Sequence, residues 1–112
     1  MGVPLHKVKA DLFRTLGHPV RVRVLELLQD GPRAVRDLLT EIDVEPSNLS
    51  QQLAVLRRAG LVTSTRDGAQ VIYALSTADV ADLLAAGRRI LTAVLADRDE
   101  LREQLRREGT ER

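Results

Sequence analysis

Apolar residues recur at helical spacing through the first half of the chain. Leu5, Val8, Leu12 and Leu16 lie about one turn apart and predict an amphipathic first helix over residues 6–16. The same spacing predicts three further helices before residue 60. They run from residue 18 to the break at residues 30–32, over residues 35–41, and from residue 46 to about residue 59.

The pattern changes in the next segment, where two β-prone stretches follow each other. Residues 61–66 and 70–75 are rich in the β-branched and aromatic residues that favour strands. Asp67 and Gly68 lie between them, and an Asp-Gly step between two such stretches is a strong hairpin signal. The sequence therefore predicts a β-hairpin over residues 61–75.

One long helix is predicted after the hairpin, over residues 77–108. Its periodic positions are spaced alternately four and three apart, which is the heptad pattern of a helix-pairing seam. The seam consists of Val80, Leu84, Gly87, Leu91, Val94, Arg98, Leu101 and Leu105, and it is broken at the glycine and the arginine. We therefore expect this helix to pair with a second copy of the chain.

The order of these elements predicts the fold class. The short helix, the turn and the next helix over residues 34–59 form a helix-turn-helix, and the hairpin over residues 61–75 is the wing beside it. We predict a mainly α protein with a β-hairpin wing, a winged helix-turn-helix, as one domain over residues 1–112.

One side of the fourth predicted helix has the chemistry of a DNA-reading surface. Leu49, Leu53 and Leu56 form its apolar stripe, so most of the amides and hydroxyls lie on the opposite side, with Asn48 and Arg57 flanking. Such groups bond base edges in the major groove, and arginines bind phosphates. The predicted DNA contacts are Ser47, Asn48, Ser50, Gln51, Gln52, Arg57 and Arg58 in this helix, and Arg66 and Gln70 beside the hairpin turn. The alternative is an ordinary solvated helix surface.

Composition narrows the class of function. The 112 residues include no cysteine, which excludes disulfides, thiolate metal sites and thiol nucleophiles. The two histidines, with no glycine-rich phosphate loop, predict that the protein is not an enzyme. The net charge is +1, so a DNA contact must come from a local basic surface. No apolar run reaches the ~18 residues of a membrane span and no signal peptide is evident, so we expect a cytoplasmic protein without a membrane partner.

Three stretches carry recognisable motifs: residues 12–21 (LFRTLGHPVR), 48–62 (NLSQQLAVLRRAGLV) and 66–75 (RDGAQVIYAL). Together they resemble the second-helix signature, the recognition helix and the wing of the ArsR/SmtB family of bacterial repressors. The resemblance spans more than half of the chain. Gln52 departs from it, because many members have histidine at that place, and this departure bears on the base preference.

The resemblance implies a homodimer through the first and last helices, in agreement with the heptad seam. The predicted interface residues are Leu5, Val8, Leu12, Leu84, Leu91 and Val94. Two recognition helices related by a two-fold axis would meet successive major grooves, about 34–36 Å apart, on an inverted-repeat operator.

Many members of this family respond to a metal, but two common ligand sets of the family are missing from this sequence. The cysteines of the short-helix set are replaced by Ala34 and Arg36, and the last-helix set would fall on Thr77, Asp79, Ile90 and Ala93. A non-standard site stays open, in which His6 joins Asp79 and Asp82 to bind nickel, cobalt or zinc. The alternative for His6 is a solvated side chain, and His18 is expected to serve the start of the second helix.

We therefore predict a sequence-specific DNA-binding transcription regulator, a dimeric repressor with a divalent metal as a candidate effector and no required cofactor. The alternative is a protein-interaction or co-regulator module that acts through a second regulatory protein. The charged end of the last helix, residues 97–112, would be its surface. Activation in place of repression stays open at this point.

Overall fold

The structure, a computed structural model, describes residues 2–110. Its elements in chain order are α1 (Leu5–Leu16), α2 (Pro19–Leu28), β1 (Arg33–Ala34), α3 (Val35–Glu41), α4 (Pro46–Arg58), β2 (Val62–Asp67), β3 (Gln70–Leu75) and α5 (Ala78–Thr110). These elements confirm the predicted mainly α fold with a β-hairpin wing beside a helix-turn-helix.

The chain divides into two compact units. The first extends to Ala81 and holds α1 to α4 with all three strands, and the second begins at Asp82 and consists of the remainder of α5. The helix-turn-helix and the wing therefore belong to the same unit. The single domain predicted over residues 1–112 stays a prediction.

Leucines supply most of the core of the first unit. α4 buries three of them on one side, and α2 buries three leucines and one valine. The buried core residues are Val24, Leu25, Leu27, Leu28, Ala34, Leu38, Ile42, Leu49, Leu53, Leu56, Leu61, Val62 and Val80. Burying a leucine side chain contributes about 1.5–3 kcal/mol, so this set determines how the helices and the sheet pack.

The start of α2 depends on His18, as predicted. Its Nδ1 accepts a hydrogen bond of 3.2 Å from the backbone N–H of Val20. Pro19 follows at the first helical position, where its missing N–H costs nothing. His18 therefore acts as the N-cap of α2.

The sheet contains a third strand that the sequence analysis missed. Its order is β1-β3-β2, and β1 pairs antiparallel with β3 through Arg33 opposite Tyr73 and Ala34 opposite Ile72. A strand of two residues is too short to show the alternating pattern by which strands are predicted. Because β1 leads directly into α3, this pairing joins the helix-turn-helix to the wing.

The hairpin turn is one residue shorter than predicted. Asp67 belongs to β2 and pairs with Gln70, so the turn consists of Gly68 and Ala69 alone. Gly68 has a φ of +63° and Ala69 does not have a positive φ, which matches the type II′ turn that suits the twist of a hairpin. Gly68 is therefore needed at the first turn position.

The end of α4 is fixed by a Schellman motif. The N–H of Leu61 donates to the carbonyl of Leu56, and the N–H of Gly60 donates to the carbonyl of Arg57, both at 3.0 Å. Gly60 has a φ of +80°, which glycine adopts without a Cβ clash. The motif sets the direction in which the chain leaves α4 for the wing.

The apolar side chains of α1 and α5 are largely uncovered within a single chain. α1 contributes no buried residue, and Leu5 and Val8 are 72% and 51% exposed. On α5, Leu91 and Val94 are 57% and 39% exposed. Leu12 and Leu84 are half-buried. Among the described residues, no helix has both the length and the hydrophobicity needed to cross a bilayer.

The Leu53→Ala variant tests the role of the leucine stripe in the core. Leu53 is 1% exposed, so truncation leaves a cavity, and we expect a loss of about 2–5 kcal/mol in the free energy of unfolding. The matched control is Gln51→Ala on the exposed side of the same helix, which should stay within about 0.5 kcal/mol of the wild type. Urea unfolding at equal protein concentrations measures both values, and equal losses would contradict the assigned core.

Candidate nucleic-acid interface

α4 presents most of its polar residues on the side opposite its buried leucines. Leu49, Leu53 and Leu56 are at most 1% exposed, which fixes the rotation of the helix about its axis. The residues predicted to contact DNA are therefore outside the core. Ser47, Ser50, Gln51, Arg57 and Arg58 are exposed, and Asn48, Gln52 and the small Ala54 are half-buried.

The N-terminus of α4 leaves backbone donors available. The N-cap residue, Glu45, makes no side-chain cap hydrogen bond, and Pro46 occupies the first helical position. The amides of Ser47 and Asn48 thus belong to the first turn, whose N–H groups have no partner within a helix. Such amides, with the helix dipole, attract a phosphate, although the exposed carboxylate of Glu45 at the same end opposes that attraction.

A hydrogen-bonded path joins α4 to α2 through Gln52. Arg21 Nε donates to Gln52 Oε1 at 2.8 Å, and Gln52 Nε2 donates to Asn48 Oδ1 at 3.0 Å. Arg21 Nη1 also donates to the backbone carbonyl of Thr15 at 3.1 Å. Both ends of the Gln52 amide are therefore engaged inside the protein, and its predicted base contact stays a prediction. Arg21 lies 31 residues before Gln52 in the sequence, so no local spacing relates it to α4.

Arg57 connects the end of α4 with the wing. Its Nη1 lies 3.5 Å from Ser64 Oγ on β2, a long contact that holds the guanidinium near the sheet only loosely. Ser64 and Arg66 point to the same face of β2, because side chains alternate along a strand. Arg57 and Arg66 therefore lie on the same side of the sheet.

The strand register separates the two residues predicted to act at the wing tip. Gln70 lies opposite Asp67, one residue beyond Arg66 on β2, so it points to the other face of the hairpin. Arg66 is exposed and Gln70 is half-buried. Arg66 points to the face of the hairpin that Arg57 contacts through Ser64, whereas Gln70 points to the opposite face, beside the acidic Asp67.

The predicted metal ligands are not gathered into a ligand set. Within the described part of the chain, no group of three or more His, Cys, Asp and Glu side chains could hold a metal ion. His6 is exposed on α1, and the backbone N–H of Asp79 donates to Thr77 Oγ1 at 3.2 Å at the start of α5. Asp82 is exposed as well. These residues do not fit a metal centre within one chain, and a metal effector stays a prediction.

Comparison with known proteins assigns the chain to a family. The family model for bacterial regulatory proteins of the arsR family matches residues 18–64, from the start of α2 into β2. An uncharacterized HTH-type transcriptional regulator of Mycobacterium tuberculosis, Rv0081, is 51% identical over 108 residues, which cover 96% of this chain and 95% of that protein. The crystal structure of Rv0081 superposes with a TM-score of 0.81 at 52% identity and covers 87% of this chain and 98% of that chain.

Two further relatives agree with this assignment. The biofilm growth-associated repressor of Xylella fastidiosa is 40% identical over 77 residues, 69% of this chain and 68% of that protein. A solution structure of a homodimeric winged helix-turn-helix DNA-binding domain of Mycobacterium bovis has a TM-score of 0.73 at 30% identity. It covers 81% of this chain and 84% of that chain. Because these relatives are regulators and not enzymes, the prediction that the chain is not an enzyme agrees with them. The chain belongs to the ArsR family of bacterial transcription regulators, as the resemblance of its motifs indicated.

Proposed function

We propose that the protein is a sequence-specific repressor that binds an inverted-repeat operator as a homodimer. One observation carries the proposal: the exposed side of α4 offers hydroxyls and amides toward its N-terminus and arginines at its C-terminal end. This distribution suits a helix whose first residues read base edges while its last residues bind phosphates. Repression, rather than activation, is proposed because the Xylella fastidiosa relative is a repressor.

The position of the wing supports the same use of the surface. Arg57 and Arg66 point to one side of the sheet, and an arginine near the tip of a hairpin can reach the backbone or a narrow minor groove. The local positive charge matters because the whole chain carries a net charge of only +1. Binding should therefore depend on a few phosphate contacts.

The homodimer is supported by apolar surface that one chain leaves in water. Leu5, Val8, Leu91 and Val94 are all exposed, and covering apolar area yields about 25 cal/mol per Å². The heptad spacing on α5 suits a paired helix. A two-fold dimer places two recognition helices about 34–36 Å apart, which requires an inverted repeat in the operator. Such a regulator acts where the chromosome is, which in bacteria is the cytoplasm.

Selection of bound duplexes from a random pool tests the proposal and supplies the operator. We expect an inverted repeat whose half-sites are one helical turn apart. The selection is run with and without nickel, cobalt and zinc, so that it also tests the predicted metal effector. If the dimer binds no duplex even at low salt, the co-regulator alternative with a second regulatory protein replaces this proposal.

The variants Arg57→Ala and Arg66→Ala test the phosphate contacts. Each removes two contacts per dimer, so the slope of log K against log salt should fall by about 1.8 in magnitude. Affinity should fall by a similar factor for all duplexes, because phosphates carry no base information. Fluorescence anisotropy over a salt series measures both quantities. Arg14→Ala, an exposed arginine of α1, is the matched control and should change neither; unchanged slopes in both test variants would contradict the interface.

The Gln51→Ala variant tests base reading by the exposed side of α4. Gln51 is exposed and can bond a base edge through its amide. Its loss should lower the discrimination at one base pair of each half-site by about 1–3 kcal/mol and leave the salt slope unchanged. Competition between the operator and its single-base variants measures this. An identical preference profile would remove Gln51 from base reading.

The double variant Leu91→Glu, Val94→Glu tests the dimer. Both side chains lie on the heptad seam, and charges there face each other across the pair. We expect a monomer by sedimentation velocity, with operator affinity reduced to that of one half-site. Ala93→Glu, at an outer heptad position of the same helix, is the control and should remain dimeric. A monomeric wild type would end the dimer proposal.

A further inference from the structure

One part-buried chain of hydrogen bonds crosses three helices and ends at the first turn of α4. It starts at the carbonyl of Thr15, which accepts from Arg21 Nη1 at 3.1 Å, and continues through Arg21 Nε to Gln52 Oε1 at 2.8 Å. It ends with Gln52 Nε2 donating to Asn48 Oδ1 at 3.0 Å. Arg21 is thus held at two points, by the last turn of α1 and by α4.

The direction of donation along this series of hydrogen bonds is determined at Arg21. A guanidinium has five N–H donors and no acceptor, so only the oxygen of the Gln52 amide can face Arg21. The Gln52 NH₂ group is then turned toward Asn48, whose side-chain oxygen accepts the hydrogen bond. The amide oxygen and nitrogen are nearly identical in shape, so hydrogen bonding and not packing decides which way each amide points.

The bond from Gln52 leaves the NH₂ of Asn48 as the end of its amide that is outside this series of hydrogen bonds. The Oδ1 of Asn48 is occupied by Gln52. Asn48 occupies the first turn of α4 and is half-buried at the edge of the exposed side. The N-terminal residues of a recognition helix are those that contact base edges.

We infer that Arg21 is a positioning residue that sets the donor sense of Asn48, and through it one base preference of the operator. An NH₂ group bonds acceptors in the major groove, which are O6 and N7 of guanine, N7 of adenine and O4 of thymine. The amino group of cytosine, a donor, does not match it. This inference rests on the proposed DNA-binding function of α4 and adds a specificity determinant that does not itself touch DNA.

The Gln52→Glu variant reverses the polarity and is the sharpest test. A carboxylate still accepts from Arg21, so the contact between α2 and α4 is kept, but it has no proton to donate to Asn48. Asn48 must then donate its NH₂ to Glu and turn its oxygen outward. We expect the preference at one base pair of each half-site to move from guanine or thymine toward cytosine or adenine, by about 3- to 10-fold, the factor of one net hydrogen bond.

Two variants of Arg21 complete the series. Arg21→Leu removes the donor, frees the Gln52 amide to turn, and should flatten the preference at the same base pair. Arg21→Lys keeps a side chain that donates hydrogen bonds and accepts none, so it should retain the wild-type base preference. If Arg21 acted only through packing, this variant would not be expected to retain it. The readouts are relative affinities for the four base pairs at that position, the salt slope and the melting temperature. The added negative charge of Gln52→Glu lowers affinity for all duplexes alike and cancels in these ratios.

The outcomes separate this inference from the proposed function. If the wild type binds its operator and Gln52→Glu keeps the wild-type ratios at every position, the positioning role is wrong while the DNA interface stands. A lowered melting temperature with unchanged ratios likewise assigns Arg21 a structural role only. If the wild type binds no duplex, the proposed function fails first, and the inference fails with it.

Discussion

The burial of three leucines on one side of α4 is the constraint on which the rest of the surface depends. Leu49, Leu53 and Leu56 are at most 1% exposed, and they lie one helical turn apart. Rotating α4 to bury its serines and glutamines would bring polar groups without partners into an apolar core, at a cost of several kcal/mol. The leucines therefore decide that Ser47, Gln51 and Arg58 face the solvent, where a duplex can reach them.

The elements next to α4 place the wing beside the exposed side of this helix. The Schellman motif at Gly60 directs the chain from α4 into the hairpin, and the pairing of β1 with β3 ties the other end of the helix-turn-helix to the same sheet. As a result, Arg57 meets β2 at Ser64, on the face that carries Arg66. A helix and a wing that share one side can engage a groove and its flanking backbone together.

Sequence periodicity was sufficient for the long elements and insufficient for contacts set by register or by distance along the chain. The leucine spacing predicted α3 and α4 almost to the residue, since a helix that packs by one face repeats its apolar positions locally. β1 was not predicted because it forms only by pairing with the edge of β3. The side of the hairpin to which Gln70 points depends on the register between β2 and β3, which neither strand shows in its own sequence. The hydrogen bond from Arg21 to Gln52 joins residues that are 31 apart in the sequence, so the apolar spacing of neither helix predicts it.

Directed cleavage of DNA from the exposed side of α4 tests whether this side of the helix enters the major groove. The chain contains no cysteine, so Gln51→Cys creates a single attachment point for an iron chelate that cuts nearby DNA. We expect two cleavage centres in successive major grooves of the operator, about 10 base pairs apart and related by its two-fold axis. Operator binding without localised cleavage from this position would contradict the assignment of the α4 surface to the DNA groove.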